Sequence, residues 1–168
     1  MPLHADELTI DAALVRGLLD RQLPAYADAE LRPLEQSGSS NALFRLGDDR
    51  VVRLPRQPGG GASILKEATW APFVAQRVGV AVPEVVAVGE PDLGYPEHWS
   101  VTMWLEGTRP TVPGRERSPH GTIGLAHDLA HFLGELRAMD LPDAGRQAPS
   151  WYRGEPLHRL SHRRATEA

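Results

Sequence analysis

No cysteine occurs among the 168 residues of the sequence. Disulfides, thiolate metal sites and cysteine nucleophiles are therefore excluded, and the composition is compatible with the cytoplasm, where we expect the protein. A basic excess is also lacking, because the formal net charge is −4. Non-specific nucleic-acid binding needs a basic surface that displaces counterions from phosphates, so we expect no nucleic-acid partner.

Long apolar runs are missing as well. No stretch approaches the length that crosses a bilayer, and the first residues, MPLHADELTI, lack a basic segment followed by an apolar one. We therefore expect neither a membrane partner nor a signal peptide. Hydrophobic residues at 41% and charged residues at 24% instead indicate a folded globular domain.

The most informative stretch is SGSSNALFRLGDDRVVRLP, from Ser37 to Pro55. It predicts a small-residue loop followed by a hairpin, because its apolar residues alternate and GDDR tolerates a tight turn. Arg53 then lies on the second strand of the hairpin. Such a hairpin can cover the phosphates of a nucleotide with backbone N–H groups and one cation. Taken alone, the same pattern also fits a surface hairpin with a solvated arginine.

The remaining chain predicts an α+β fold with a mainly antiparallel sheet. The predicted order is helix, three strands, helix, two strands, linker and helix. The helix after the hairpin is preceded by QPGGGA, interpreted as a flexible connection, with Ser63 as its cap, and Pro72 predicts a kink or break inside it. Outside the hairpin, the predicted elements are the helices 9–23, 64–77 and 123–140, the strands 30–36, 80–89 and 98–105, and the linker 107–122.

The sequence resembles the aminoglycoside phosphotransferase family, small-molecule kinases with the protein-kinase-like fold. The resemblance lies in SSNALFRLGDDRVVRLPR, KEATWAPFVA, VAVPEVVAVGEPDLGYPEHWSVTMWLEG, DLAHFLGELRAMD and SWYRGEPL. It implies a protein-kinase-like N-lobe with a five-stranded, mainly antiparallel sheet and one inserted helix, followed by the first helix of a truncated helical lobe. The implied organisation is an ATP-binding N-lobe over 1–106, a linker over 107–122 and an incomplete helical substrate lobe over 123–168.

The resemblance also implies roles for individual residues. Arg53 matches the cation that contacts the ATP phosphates, and Glu67 matches the helix carboxylate that pairs with it. A cation held by a carboxylate suits phosphoryl transfer, which depends on charge neutralisation and positioning. The residues that match the loop over the phosphates are Ser37, Gly38, Ser39, Ser40 and Asn41. Those that match the adenine-binding hinge are Met103, Trp104, Leu105 and Glu106.

The catalytic loop and the magnesium-binding loop of this fold have no counterpart after the last predicted helix. His4-Ala5-Asp6 and Asp92-Leu93-Gly94 mimic parts of them but lie at the wrong places in the chain. We therefore assign no catalytic and no metal-binding residue, although the full-length family implies Mg²⁺ with ATP. We expect that the chain alone binds nucleotide without transferring phosphate, and that a small-molecule acceptor binds only if the missing lobe is supplied. The alternative is a non-catalytic, kinase-like nucleotide-binding or interaction module.

His127 and His131 form a weaker alternative. They stand at i and i+4 on the last helix, the spacing of helical zinc ligands, and His158 and His162 repeat it. No third ligand is identifiable, so a solvated helix face is the favoured interpretation over a zinc hydrolase. The opposite side of that helix is an apolar stripe without a predicted cover, from which we expect aggregation, self-association or a partner.

Overall fold

The computed structural model describes residues 6–34, 40–107 and 119–140, and every structural statement below concerns these ranges. The elements follow the predicted order. In sequence they are α1 (Ala12–Gln22), a short 3-10 helix (Pro24–Tyr26), β1 (Leu31–Pro33), β2 (Asn41–Leu46), β3 (Arg50–Pro55), α2 (Gly61–Ala75), β4 (Val85–Gly89), β5 (Trp99–Met103) and α3 (Pro119–Ala138).

The first helix has a side-chain cap at its amino end. Asp11 is its N-cap, and the Asp11 carboxylate accepts a hydrogen bond of 2.8 Å from the backbone N–H of Leu14. Such a side chain satisfies one of the N–H groups left open at the start of a helix. The helix ends at Gln22, just before Pro24. Its inner side buries Val15, Leu18 and Leu19 completely.

The five strands form one sheet in the order β1-β2-β3-β5-β4, and all neighbouring pairs are antiparallel. The predicted hairpin is β2 and β3, which pair from Asn41 with Pro55 to Leu46 with Arg50. Gly47 turns the chain between them with a φ of 58°, a left-handed conformation that glycine adopts without strain. The predicted α+β fold with a five-stranded antiparallel sheet and one helix after its third strand is confirmed.

The two faces of the sheet differ in chemistry. One face packs with α1 into the hydrophobic core, because alternate residues of each strand point to the same side. On β2 and β3 these core residues are Ala42, Phe44, Leu46, Val52 and Leu54, and on β5 they are Trp99 and Val101. The other face therefore carries the intervening residues, among them Arg53.

Helix α2 differs from its prediction at both ends. It begins at Gly61 with Gly60 as the N-cap residue, so Ser63 lies inside the helix and does not cap it. The chain also stays helical through Pro72 to Ala75, and the predicted break is wrong. Just beyond the helix, the Arg77 guanidinium donates a 2.9 Å hydrogen bond to the Phe73 carbonyl and lies 3.7 Å from the centre of the Phe73 ring. These contacts support the last turn of α2. Pro72 removes one backbone N–H donor from the helix.

Other elements also have different bounds from those predicted. Strands β1, β4 and β5 are shorter than expected, and α3 begins at Pro119, before the predicted start at Ile123. The rest of the predicted linker, 108–118, lies outside the described residues, as does the chain after Asp140. Glu135 on α3 accepts hydrogen bonds of 3.0 and 3.1 Å from the backbone N–H of Gly79. Within the described ranges, none of the helices is long and apolar enough to span a bilayer.

Candidate functional site

Arg53 lies near the middle of the sheet, on the face away from the core. Its cross-strand partners are Leu43 on β2 and Ser100 on β5. Directly opposed residues of antiparallel strands share a face, so these two side chains flank the arginine. Its chain neighbours Val52 and Leu54 point the other way and are fully buried. Strand alternation thus places one cation on a surface whose reverse side is the core.

The Arg53 guanidinium is held by Glu67 of α2. Arg53 Nη2 donates to Glu67 Oε1 at 3.2 Å, and Nη1 donates to Oε2 in a second, shorter bond. Two parallel bonds between a guanidinium and a carboxylate fix the orientation of both groups. The Arg53 side chain is 23% exposed and that of Glu67 45%, so the pair is reachable from solvent. The contact between these two side chains, expected from the sequence, is present, and a role toward nucleotide stays a prediction.

The predicted phosphate loop is described only at its end. Ser37, Gly38 and Ser39 lie outside the described residues. The Ser40 carbonyl accepts a 2.9 Å hydrogen bond from the backbone N–H of Arg56, and Asn41 opens β2 opposite Pro55. Asn41 lies two residues before Leu43, on the face that carries Arg53. The end of the loop therefore reaches the same side of the sheet as the cation.

The predicted hinge follows β5 directly, but part of its backbone is already engaged. The Met103 N–H donates to the Glu84 carbonyl and the Trp104 N–H to the Asp49 carbonyl, both at 2.8 Å. Within residues 40–107, the N–H groups of Leu105 and Glu106 have no such acceptor. A base bound at this hinge would therefore find free backbone donors only at Leu105 and Glu106 among these four residues. The N–H groups of Met103 and Trp104 already stabilise the fold.

Arg45 connects the hinge to the hairpin, a role that was not predicted. Its guanidinium carbon lies 4.1 Å from the centre of the Trp104 ring, and its Nη2 lies 3.7 Å from Glu106 Oε1 and donates to the Asp48 carbonyl. The Arg45 side chain is only 14% exposed. A guanidinium stacked on an indole gains cation–π attraction while it keeps in-plane donors.

Two buried hydroxyl residues also lie on the face of Arg53. Ser100 and Thr102 are each 2% exposed and alternate with Trp99 and Val101 of the core. Ser100 Oγ has no hydrogen-bond partner among the described residues. The alternation is visible in the segment WSVTM and could have marked β5 as a strand with one polar face.

The described residues offer no cluster for a metal. No group of three histidine, cysteine, aspartate or glutamate side chains within the described ranges could hold an ion. His131 Nδ1 lies 3.5 Å from Glu135 Oε1 on the same helix. His158 and His162 lie outside the described ranges. The apolar stripe of α3 is exposed, with Leu125 at 49%, Leu129 at 53% and Leu133 at 55%. Self-association through this stripe stays a prediction.

A family model matches most of this chain. The model of the phosphotransferase enzyme family, APH, matches residues 30–168, which include the sheet, the Arg53–Glu67 pair and the hinge. The chain belongs to this family. The matched range includes most of the described residues and also residues beyond Asp140. Among the curated proteins, nothing matches.

Several solved structures have a similar fold. The GDP and kanamycin complex of APH(2")-IIia has a TM-score of 0.66 and 23% identity, over 76% of this chain and 42% of that one. ADP-bound aminoglycoside phosphotransferase APH(2'')-Ib has a TM-score of 0.59 and 22% identity, over 80% and 42%. The streptomycin-ATP-APH(2")-IIa ternary complex has a TM-score of 0.59 and 22% identity, over 82% and 43%. This member of the phosphotransferase family therefore spans less than half the length of these structures, and at such identities the likeness describes the fold.

Proposed function

We propose that this chain is the ATP-binding part of a kinase that transfers a phosphoryl group from ATP to a hydroxyl group of a small molecule. The observation that carries the proposal is the bidentate Arg53–Glu67 pair on the sheet face away from the core. Membership of the phosphotransferase enzyme family and the nucleotides bound in structures of similar fold support it.

Different residues of the proposed site bind different parts of the nucleotide. Arg53 contacts the phosphates, and Glu67 orients its guanidinium. The phosphate loop, Ser37, Gly38, Ser39, Ser40 and Asn41, covers the phosphates with its backbone N–H groups. The hinge, Met103, Trp104, Leu105 and Glu106, binds the base, with the donors at Leu105 and Glu106. Positioned donors of this kind supply most of what phosphoryl transfer requires from a protein.

The proposed role of Arg53 has a direct test. Isothermal titration calorimetry with ATP and Mg²⁺ should detect binding to the 168-residue chain, and Arg53→Ala should abolish it. Arg21→Ala is the matched control, because Arg21 lies on α1, on the core side of the sheet, its side chain is 60% exposed, and it pairs with Asp92 at 3.0 Å. No heat with the unchanged chain at high nucleotide concentration would overturn the proposal.

Catalysis by this chain alone is not part of the proposal. After β5 the 168 residues contain no H-x-D-x-x-x-x-N segment, and the described residues contain no cluster that fits Mg²⁺, so we assign no step to the metal. Incubation of the purified chain with radiolabelled ATP and a panel of amino-sugars and small alcohols should give no phosphorylated product. A product whose formation requires Arg53 would contradict this part.

The second candidate is a nucleotide-binding or interaction module without catalysis. The observation behind it is the same Arg53–Glu67 pair, which can hold a nucleotide's phosphates without any catalytic residue. Both proposals include nucleotide binding at Arg53. They differ in whether phosphoryl transfer occurs when a helical lobe is supplied. Adding a separately expressed helical lobe from a matched structure should restore transfer under the first proposal, and should leave binding without transfer under the second.

A further inference from the structure

The amino end of α2 is capped by a side chain from a distant part of the chain. Its own N-cap residue, Gly60, has no side chain to offer, and the first turn contains no acidic residue. Glu97, in the connection before β5, fills this place. Glu97 Oε1 accepts from the Gly59 N–H and Oε2 from the Gly61 N–H, both at 2.7 Å. One carboxylate thus satisfies the N–H of the first helical residue and the N–H just before the N-cap residue, and its charge suits the positive end of the helix.

The chain segments at this cap are in close contact. A Cβ atom on Gly61 would come within 2.7 Å of the His98 backbone nitrogen, and one on Gly60 within 2.5 Å of Pro55 Cβ. The end of β3, the start of α2 and the residues before β5 therefore meet at one point. The glycine-rich segment interpreted as a flexible connection is a hydrogen-bonded turn, with the Gly60 N–H donating to the Gln57 carbonyl at 3.2 Å.

This contact lies a short distance along the chain from both members of the Arg53–Glu67 pair. Arg53 precedes Pro55 by two residues on the same strand. Glu67 follows Gly61 on the same helix, about 9 Å further along its axis at the usual rise per residue. A stiff helix transmits a displacement of its first turn to Glu67. The Glu97 contact therefore bears on whether the Glu67 carboxylate meets the guanidinium.

We propose that Glu97 is a positioning residue for nucleotide binding: by capping α2 it sets the place of Glu67 against Arg53, without touching the nucleotide itself. The proposal rests on the function proposed above, because it assigns Glu97 an effect on phosphate affinity. Two donors face its two carboxylate oxygens, so a side chain with one acceptor cannot replace it.

The matched variants are Glu97→Gln and Glu90→Gln. Glutamine at 97 keeps the shape but turns an NH₂ group toward one of the two backbone donors. Glu90 lies in the same connection, its side chain is 75% exposed, and its carboxylate contacts only His98 among the described residues, at 3.3 Å. We expect Glu97→Gln to raise the Kd for Mg-ATP about fivefold, and Glu90→Gln to leave it unchanged.

A double-mutant cycle separates positioning from general destabilisation. If Glu97 acts through Glu67, Glu97→Gln should weaken binding by less than about twofold in a Glu67→Gln background. An equal factor in both backgrounds would overturn the proposal, as would an unchanged Kd in the single variant. The near-ultraviolet circular dichroism of each variant checks that it is folded.

A readout without nucleotide distinguishes failure of this inference from failure of the proposed function. The ¹⁵N resonance of the Arg53 Nη groups reports the contact with Glu67. We expect Glu97→Gln to move that resonance toward its position in Glu67→Gln, and Glu90→Gln to leave it in place. If the unchanged chain binds no ATP, the proposed function fails and this resonance still decides whether Glu97 positions Glu67. An unmoved resonance in Glu97→Gln overturns the inference.

Discussion

The Tyr95 hydroxyl donates a hydrogen bond of 2.9 Å to the backbone carbonyl of Pro55, the last residue of β3. Tyr95 is 3% exposed, and the contact lies beside the point where β3, α2 and the Glu97 connection meet. Burial raises the pKa of Tyr95 above its ordinary value of 10.0, and the nearby charge of Glu97 raises it further. The neutral phenol of Tyr95 thus satisfies the last carbonyl of the strand that carries Arg53.

Tyr95→Phe should change the alkaline stability of the fold. Because the pKa of Tyr95 is higher in the folded than in the unfolded chain, its contribution is complete below about pH 10 and is lost as the pH rises toward the folded value. Below pH 10 the variant should be about 1 kcal/mol less stable, since it lacks the hydrogen bond. Urea unfolding at pH 8 and pH 11 should show this difference disappearing, because only the chain with Tyr95 loses stability, by about 1.4 kcal/mol, over that range. An equal difference at both pH values would contradict the assignment.

Glu67→Gln should weaken nucleotide binding while leaving the fold intact. The variant loses the charge that orients Arg53, and a charge-assisted hydrogen bond contributes about 1.5–3 kcal/mol, so the Kd for Mg-ATP should rise about ten- to hundredfold. The matched control is Lys66→Gln, because Lys66 is the exposed preceding residue of the same helix. Titration calorimetry measures both, and equal affinities for the two variants would count against the role of Glu67.

The hinge should act through its open backbone donors. Leu105→Pro and Glu106→Pro each remove one N–H group, and at least one of them should raise the Kd for ATP about tenfold. Glu106→Ala keeps the backbone donor and should have little effect, since its side chain is 86% exposed. Inorganic tripolyphosphate has no base and should bind all these variants alike. Equal losses for ATP and tripolyphosphate would show that the base does not use this hinge.

Gly89→Ala should be strongly destabilising. A Cβ atom there would lie 1.9 Å from Trp99 Cε2, inside a fully buried indole. Overpacking of this kind costs about 1–3 kcal/mol or more. Gly134→Ala is the opposite case, because nothing lies within 4 Å of its Cβ position on α3 and alanine favours a helix by about 1 kcal/mol. Thermal melts should show a lower Tm for Gly89→Ala and a higher Tm for Gly134→Ala.

The hairpin was predictable in detail because one of its faces is buried. Ala42, Phe44 and Leu46 alternate with residues of the other face, and such a pattern fixes the register of a strand. The pairing of Arg53 with Glu67 came from the family resemblance, since no local periodicity joins a strand residue to a helix residue.

Other parts of the site depend on contacts between distant segments. Which hinge donors are open depends on the carbonyls of Glu84 and Asp49, which reach Met103 and Trp104 only in the folded sheet. The start of α2 was misplaced because its cap, Glu97, comes from far along the chain. Pro72 predicted a kink or break from a local rule, and the chain nevertheless stays helical to Ala75.

The alternation of β3 ties the ligand chemistry of this protein to its foldability. Val52 and Leu54 fill the core from one side of the strand, and Arg53 points away between them. A one-residue insertion in the turn that shifted this register would exchange the faces, placing a guanidinium in the core and an aliphatic side chain beside Glu67. The length of the turn at Gly47 therefore protects two things at once, because a one-residue shift of β3 against β2 would disturb the proposed phosphate site and the hydrophobic interior together.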